Sequence, residues 1–168
     1  MRRACEIRTA GSWNVATAID RVVLDAHERH RRRIALTGEG GTAFLLDLPQ
    51  ATALKDGDGL VLEDGAIVRV AGKPEPLVEV AAPSAHALAR LAWHIGNRHV
   101  DIEIVGDRLR MRRDHVIEDM LRGLGARLAP IEAPFDPEHG AYEQHHGGHS
   151  HGGDHHGHGD DHHGHDHG

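Results

Sequence analysis

Gly72-Lys73-Pro74-Glu75-Pro76-Leu77-Val78-Glu79-Val80 is the stretch at which the chain changes its periodicity. Each proline removes a backbone donor and drives the residue before it toward extended geometry, so no single element runs through 73–76. Before it, apolar residues come in short runs divided by turn residues. After it, they also come at helical spacing. The break divides the chain into units at 1–74 and 75–143, followed by a segment of different composition at 144–168.

Working toward the N-terminus, the runs are Arg21 to Leu24, Ile34 to Leu36, Ala43 to Leu48, Leu60 to Leu62 and Ala66 to Val70. Between them stand Gly38-Glu39-Gly40-Gly41, Asp56-Gly57-Asp58-Gly59 and Asp64-Gly65. Asp-Gly and Gly-Gly supply the positive φ that tight hairpins need, so this unit is predicted to be all-β, with hairpins at those turns.

Working toward the C-terminus, Leu77 to Val80 is predicted as a strand, and Ser84 as the N-cap of a helix with Leu88, Leu91, Ala92 and Ile95 on its apolar face. Gly96 and Asn97 end that helix. Val100 to Val105, Gly106-Asp107 and the alternation of Leu109 and Met111 with Arg108, Arg110 and Arg112 predict a hairpin. Asp114 caps a second helix that buries Ile117, Met120, Leu121 and Leu124 and stops at Gly125. Arg127 to Ile131 is the last strand. The order βαββαβ predicts a ferredoxin-like unit, and the fold class is α+β.

Between His145 and Gly168 only His, Gly, Asp and Ser occur. A segment with nothing to bury cannot offset the entropy of ordering, so it is predicted to be disordered without a ligand. Eleven of the 18 histidines of the chain lie here: His145, His146, His149, His151, His155, His156, His158, His162, His163, His165 and His167. Neutral imidazole is a nitrogen donor suited to Ni²⁺, Zn²⁺, Cu²⁺ and Co²⁺, and the glycines between let several rings gather on one ion. Copper outranks nickel at almost any such site, so the tail confers no selectivity. Protons compete for the same lone pair, and affinity falls as pH drops through about 6.5. A Gly-rich tail of this length reaches roughly 25 to 30 Å, enough to pass ions to the body.

Composition narrows the function. All 19 Lys and Arg lie at or before Arg127, whereas seven of the 26 acids lie from Asp136 onward, which leaves a near-neutral body and an acidic tail. That distribution favours cations over nucleic acid as the partner. Cys5 is the single cysteine, which excludes an internal disulfide and a multi-cysteine zinc site. Arg2, Arg3, Glu6 and Arg8, with no apolar stretch behind them, do not form a signal-peptide layout, and no run could span a bilayer. A cytoplasmic location is expected. With no phosphate-binding Gly-Lys-Ser/Thr loop, no Gly-x-Ser-x-Gly elbow and no Cys and His pair in a catalytic setting, the chain is expected to be a carrier and not an enzyme.

Histidines that could receive a metal on the body are His94, His99 and His115, with His86, His27 and His30 behind them. His99 follows a helix C-terminus, where a histidine is also favoured by the dipole alone. Trp93-His94-Ile95-Gly96-Asn97-Arg98-His99 nevertheless brings two imidazoles to one turn. His115 opens a helix, where the positive dipole end disfavours imidazolium and leaves the ring available to a metal, although a surface histidine without a role fits equally. A site built from single histidines needs a second copy across a symmetric interface, so metal binding by the body implies a dimer. Of the two basic stretches, 27–33 and 108–113, the second has the pattern of a half-buried strand with a solvated face, and the functional alternative is a protein contact.

Trp93-His94-Ile95-Gly96-Asn97-Arg98-His99-Val100, Arg113-Asp114-His115-Val116-Ile117-Glu118-Asp119-Met120-Leu121 and Glu132-Ala133-Pro134-Phe135-Asp136-Pro137, with Tyr142 and the His-rich tail, resemble the urease accessory metallochaperone family UreE. The resemblance is tight from His94 to Tyr142 and looser at Leu48-Pro49 and Asp56-Gly57-Asp58-Gly59. It implies a homodimer of a β domain and a ferredoxin-like metal-binding domain, in which His99 of each subunit shares one nickel ion and the tail feeds or completes that site. It also implies action with the urease accessory GTPase UreG and the urease accessory/apo-urease complex. His115 matches a histidine implicated in metal binding in some members. Arg112-Arg113 stand where some members carry further histidines, and metal binding does not extend to them. Against this stand a nickel or zinc store that needs only the tail, a polypeptide-binding module built on the β half, and an RNA-binding ferredoxin-like domain, for which the central strands lack stacking aromatics.

Overall fold

The computed structural model describes residues 1–140; the expectations for the tail, including its eleven histidines, lie outside them. The strands are β1 (Arg2–Arg8), β2 (Ala18–Leu24), β3 (His30–Thr37), β4 (Ala43–Ala53), β5 (Gly59–Leu62), β6 (Ile67–Gly72), β7 (Glu75–Ala81), β8 (Glu103–Val105), β9 (Arg108–Arg112) and β10 (Arg127–Ala133). Two helices, α1 (Ala85–Gly96) and α2 (His115–Gly123), both fall in the second half. The chain is therefore α+β, with a mostly β N-terminal region followed by a β/α unit.

β1 to β6 form one sheet in the order β2-β6-β5-β1-β4-β3. Its core is aliphatic apart from Phe44: Ala4, Phe44, Leu46, Leu60, Val68 and Val70 are fully buried. The hairpins expected at Gly38–Gly41 and Asp64-Gly65 form, joining β3 to β4 and β5 to β6 antiparallel. The one expected at Asp56–Gly59 does not, because β1 inserts between β4 and β5, parallel to the former and antiparallel to the latter. β1 escaped notice in the sequence because Ala4 is its one buried residue amid Arg2, Arg3, Glu6 and Arg8. β4 also runs past its expected end, through Pro49, where residues 48–51 bulge opposite Arg32 alone and the missing proline donor does no harm.

The Asp-Gly-Asp-Gly stretch instead ties three segments together. Asp58, 5% exposed, accepts from the N–H groups of Ala10 at 3.0 Å and Lys55 at 2.8 Å, and Asp56 accepts from Gly72 N–H at 2.8 Å. A third carboxylate joins the two ends of the sheet: Asp20 on β2 accepts from Gly40 N–H at 2.8 Å and Thr42 N–H at 2.9 Å in the β3–β4 turn. A Cβ on Gly38 would run into that carboxylate, so a larger residue there would push Asp20 off the turn.

In the second unit β7 to β10 form an antiparallel sheet in the order β10-β7-β9-β8. Val78, Val80, Leu109 and Met111 pack against Leu91 and Ile95 of α1 and Ile117 and Leu121 of α2. On the β9 alternation Arg108 and Arg110 pair with Glu79 and Arg112 with Glu75, which makes this basic stretch a half-buried strand with a charged outer face. Ser84 and Asp114 cap the helices as expected. Leu124 departs from expectation: it is the C-cap of α2, outside the helical repeat, and 41% exposed. The chain turns there through Gly125 (φ 89), with Gly125 N–H bonded to Arg122 O and Ala126 N–H to Leu121 O, the Schellman arrangement. Ala126 thus packs on the core in place of Leu124.

After β10 the segment Pro134–Glu138 returns across the first sheet. Arg29, in the loop between β2 and β3 and 2% exposed, donates to the carboxylate of Asp136, to Phe135 O and to Leu54 O. Phe135 is fully buried, with the Arg112 guanidinium 4.7 Å from its ring centroid. Pro134 lies so close to Gly72 that a Cβ there would meet its Cβ at 2.6 Å.

Two predictions follow from these contacts. Arg29→Met leaves the Asp136 carboxylate and two carbonyls without their donor and is expected to cost about 3 kcal/mol, read as a lowered urea midpoint. Asp20, whose pKa the N–H groups of Gly40 and Thr42 lower to about 2, stabilises the fold above its unfolded value of about 3.9 and loses that contribution as pH falls toward 2. Asp20→Asn is therefore expected to lower Tm at pH 7 and to leave a much smaller gap from the parent protein at pH 2.

Candidate metal centre

α1 is amphipathic. Leu91 and Ile95 anchor it to the second sheet, with Leu88 and Ala92 half-buried beside them. On its other side Trp93 is 65% exposed and meets the half-buried His94 edge-on, ring centroids 5.1 Å apart. An indole left this open is unusual, because aromatic rings carry the largest apolar surface a side chain can bury.

The helix ends at Gly96 with Asn97 as its C-cap, as expected, and the chain continues into a tight turn. Asn97 is still right-handed and its N–H bonds to Trp93 O, then Arg98 N–H bonds to Ile95 O and His99 N–H to Gly96 O. The chain reverses at His99, which has φ 55 and is the one non-glycine residue with positive φ among the described residues. Left-handed backbone costs an ordinary side chain on the order of 1 kcal/mol, and glycine normally occupies such a position. A histidine held there and exposed to solvent is strain kept at a position where the core gains nothing from the side chain.

His115 is the first residue of α2 and exposed. Around it the N-terminus is saturated: Asp114 accepts from Val116 and Ile117 N–H, and Glu118, 3% exposed, accepts from Asp114 N–H at 3.0 Å and from Arg113 at 3.0 and 3.2 Å. The Arg113 guanidinium, outweighing the cost of burial, holds the Glu118 carboxyl below the usual carboxylate range. The two neighbouring arginines are both engaged: Arg113 satisfies Glu118, and Arg112 pairs with Glu75 at 3.2 Å and Asp101 at 3.5 Å.

The structure does not assemble His94, His99 and His115 into a cage. Among the described residues no group of three or more His, Cys, Asp or Glu side chains is arranged to hold a metal ion. His86 is exposed at the start of α1, His27 and His30 belong to the first sheet and its loop, and Cys5 is exposed on β1. The left-handed turn was not legible in the sequence, since Gly96-Asn97 offered the more usual place for it. No described helix is long and apolar enough to cross a membrane.

Residues 4–72 match the N-terminal domain of the UreE urease accessory protein and residues 75–168 its C-terminal domain. The urease accessory protein UreE of Bradyrhizobium sp. strain BTAi1 is 57% identical over 141 residues, covering 84% of this chain and 68% of the relative. That of Bradyrhizobium sp. strain ORS 278 is 56% identical over 141 residues, with 84% and 67% covered, and that of Beijerinckia indica 50% identical over 141 residues, with 84% and 81% covered. With both domains matched in order and relatives of this similarity across most of its length, the chain belongs to the UreE family of urease accessory proteins.

Proposed function

We propose that the chain binds Ni²⁺ as a homodimer and donates it during assembly of the urease active site, acting with the GTPase UreG and the urease accessory/apo-urease complex in the cytoplasm. Family membership supports the urease role. The observation that carries the metal role is His99: an exposed imidazole on strained backbone, beside an exposed Trp93, with too few donors around it in one chain. Two copies related by a twofold axis would supply two imidazoles to one ion, and Trp93 with Val116, 56% exposed, offers apolar surface for such a contact.

A site of this kind suits a carrier. Two imidazoles completed by water hold a divalent ion less tightly than a closed four-ligand cage, so the ion can be passed on. The tail, with eleven histidines, would collect Ni²⁺ and to some extent Zn²⁺, Cu²⁺ and Co²⁺, and present it to His99, with His94 and His115 as accessory donors. We place the domain boundary at Pro74. The ferredoxin-like description of the second domain is supported by its βαββαβ order and its β10-β7-β9-β8 sheet.

The test is calorimetric titration with Ni²⁺, with mass in solution measured in parallel, on the full chain carrying asparagine at the eleven tail histidines. His99→Ala in that background is expected to lose about one Ni²⁺ per two chains. If stoichiometry is unchanged, His99 is not a ligand, and storage by the tail becomes the better description. His99→Gly is expected to lose the same ion while raising stability by about 1 kcal/mol, because glycine relieves the left-handed strain. Urea unfolding checks that sign, which an ordinary surface histidine would not give.

A further inference from the structure

A second pair of imidazoles lies where the first sheet meets the segment that follows β10. His30, at the start of β3, and His139 face each other with ring centroids 5.4 Å apart and planes at 46°. They line a cleft of about 410 Å³ together with His27, Asp101 and Glu138. His27 and His30 were lesser metal candidates in the sequence, but the meeting of His30 with His139, 109 positions away, was not legible there.

The separation has chemical meaning. A metal bonded to an imidazole nitrogen at about 2.0 to 2.1 Å sits roughly 3.2 Å from the ring centroid, so two rings on one ion have centroids roughly 5 to 5.5 Å apart at angles near tetrahedral. The pair already has that spacing. Charge does not oppose a cation: the Arg31 and Arg112 guanidiniums in the cleft wall are balanced by Asp101 and Glu138, and Arg112 is held by Glu75 and Asp101. The cleft is anchored on both sides, by Arg29 to Phe135 and Asp136 and by Glu138 N–H to Ile102 O at 2.7 Å.

Its position in the chain matters as well. His139 stands six residues before His145, a span of at most about 20 Å. Asp101, in the cleft wall, is two residues from His99, so their Cα atoms are no more than about 7.6 Å apart. The cleft thus sits at the root of the tail and close to the proposed dimer site.

We propose that His30 and His139 form a second metal site, a two-imidazole clamp for a divalent cation with nitrogen preference, completed by water. The inference is separate from the role of His99 but deepens the same metal-delivery reading.

The experiment uses the full-length protein with its eleven tail histidines changed to asparagine, [¹³C]histidine labelling and Ni²⁺ alone as the probe. Ni²⁺ is paramagnetic and broadens the resonances of rings that bind it. Expected are loss of the His30 and His139 imidazole signals as Ni²⁺ is added, and loss of about one Ni²⁺ per chain from the calorimetric stoichiometry in the His30→Asn/His139→Asn variant. Broadening confined to His99, or an unchanged stoichiometry in the double variant, would overturn the proposal. His99→Ala separates the two ideas: it should remove the dimer ion and leave the broadening of His30 and His139 intact.

Discussion

The Arg29 guanidinium is the interaction on which the arrangement of this protein depends. It is buried at the meeting of a loop from the first sheet, the end of β4 and the segment after β10, and it is aimed at acceptors from two of them. A buried charge is tolerated only when paired and hydrogen-bonded, so the position of Asp136 and Phe135 is not free to vary. Once they are fixed, Phe135 lies beneath the Arg112 guanidinium and Glu138 is bonded to Ile102, which holds the segment through Glu138 against the second unit. The cation thereby joins the first sheet to the segment that follows the second, alongside the Ala26 N–H to Glu75 contact, while the two cores stay separate.

Carboxylates perform the same function at shorter range. Asp20, Asp58 and Glu118 each accept from backbone N–H groups that a turn or helix start would leave unpaired. With so few aromatic residues the cores are small and aliphatic, and the irregular connections are held by these hydrogen bonds. The arrangement leaves Trp93 and Val116 exposed and His99 on left-handed backbone. The proposed function rests on those features, since a second copy related by a twofold axis would turn a lone imidazole into a two-imidazole site.

Turn chemistry, helix caps and the 3.6-residue repeats were legible because each depends on neighbours in sequence. Ser84, Asp114, Gly125 and the Gly38–Gly41 turn all act where the spacing puts them. β1 was not legible, since a strand that lies between two others yet buries little more than Ala4 has no apolar periodicity to show. Asp56–Gly59 misled for the related reason that the same dipeptide chemistry serves a hairpin or a buried turn, and the strand lying between β4 and β5 decides which.

The sequence by itself determined the two-part α+β organisation, the caps, the family and the histidine-rich composition of the tail, because composition and local spacing carry all of these. Tertiary structure alone decided that Arg29 is a structural cation and not part of a surface patch, that His99 is the strained residue of its turn, and that His30 meets His139. Each of those depends on groups brought together from distant parts of the chain by burial and sheet pairing, and no local pattern records which distant groups will meet.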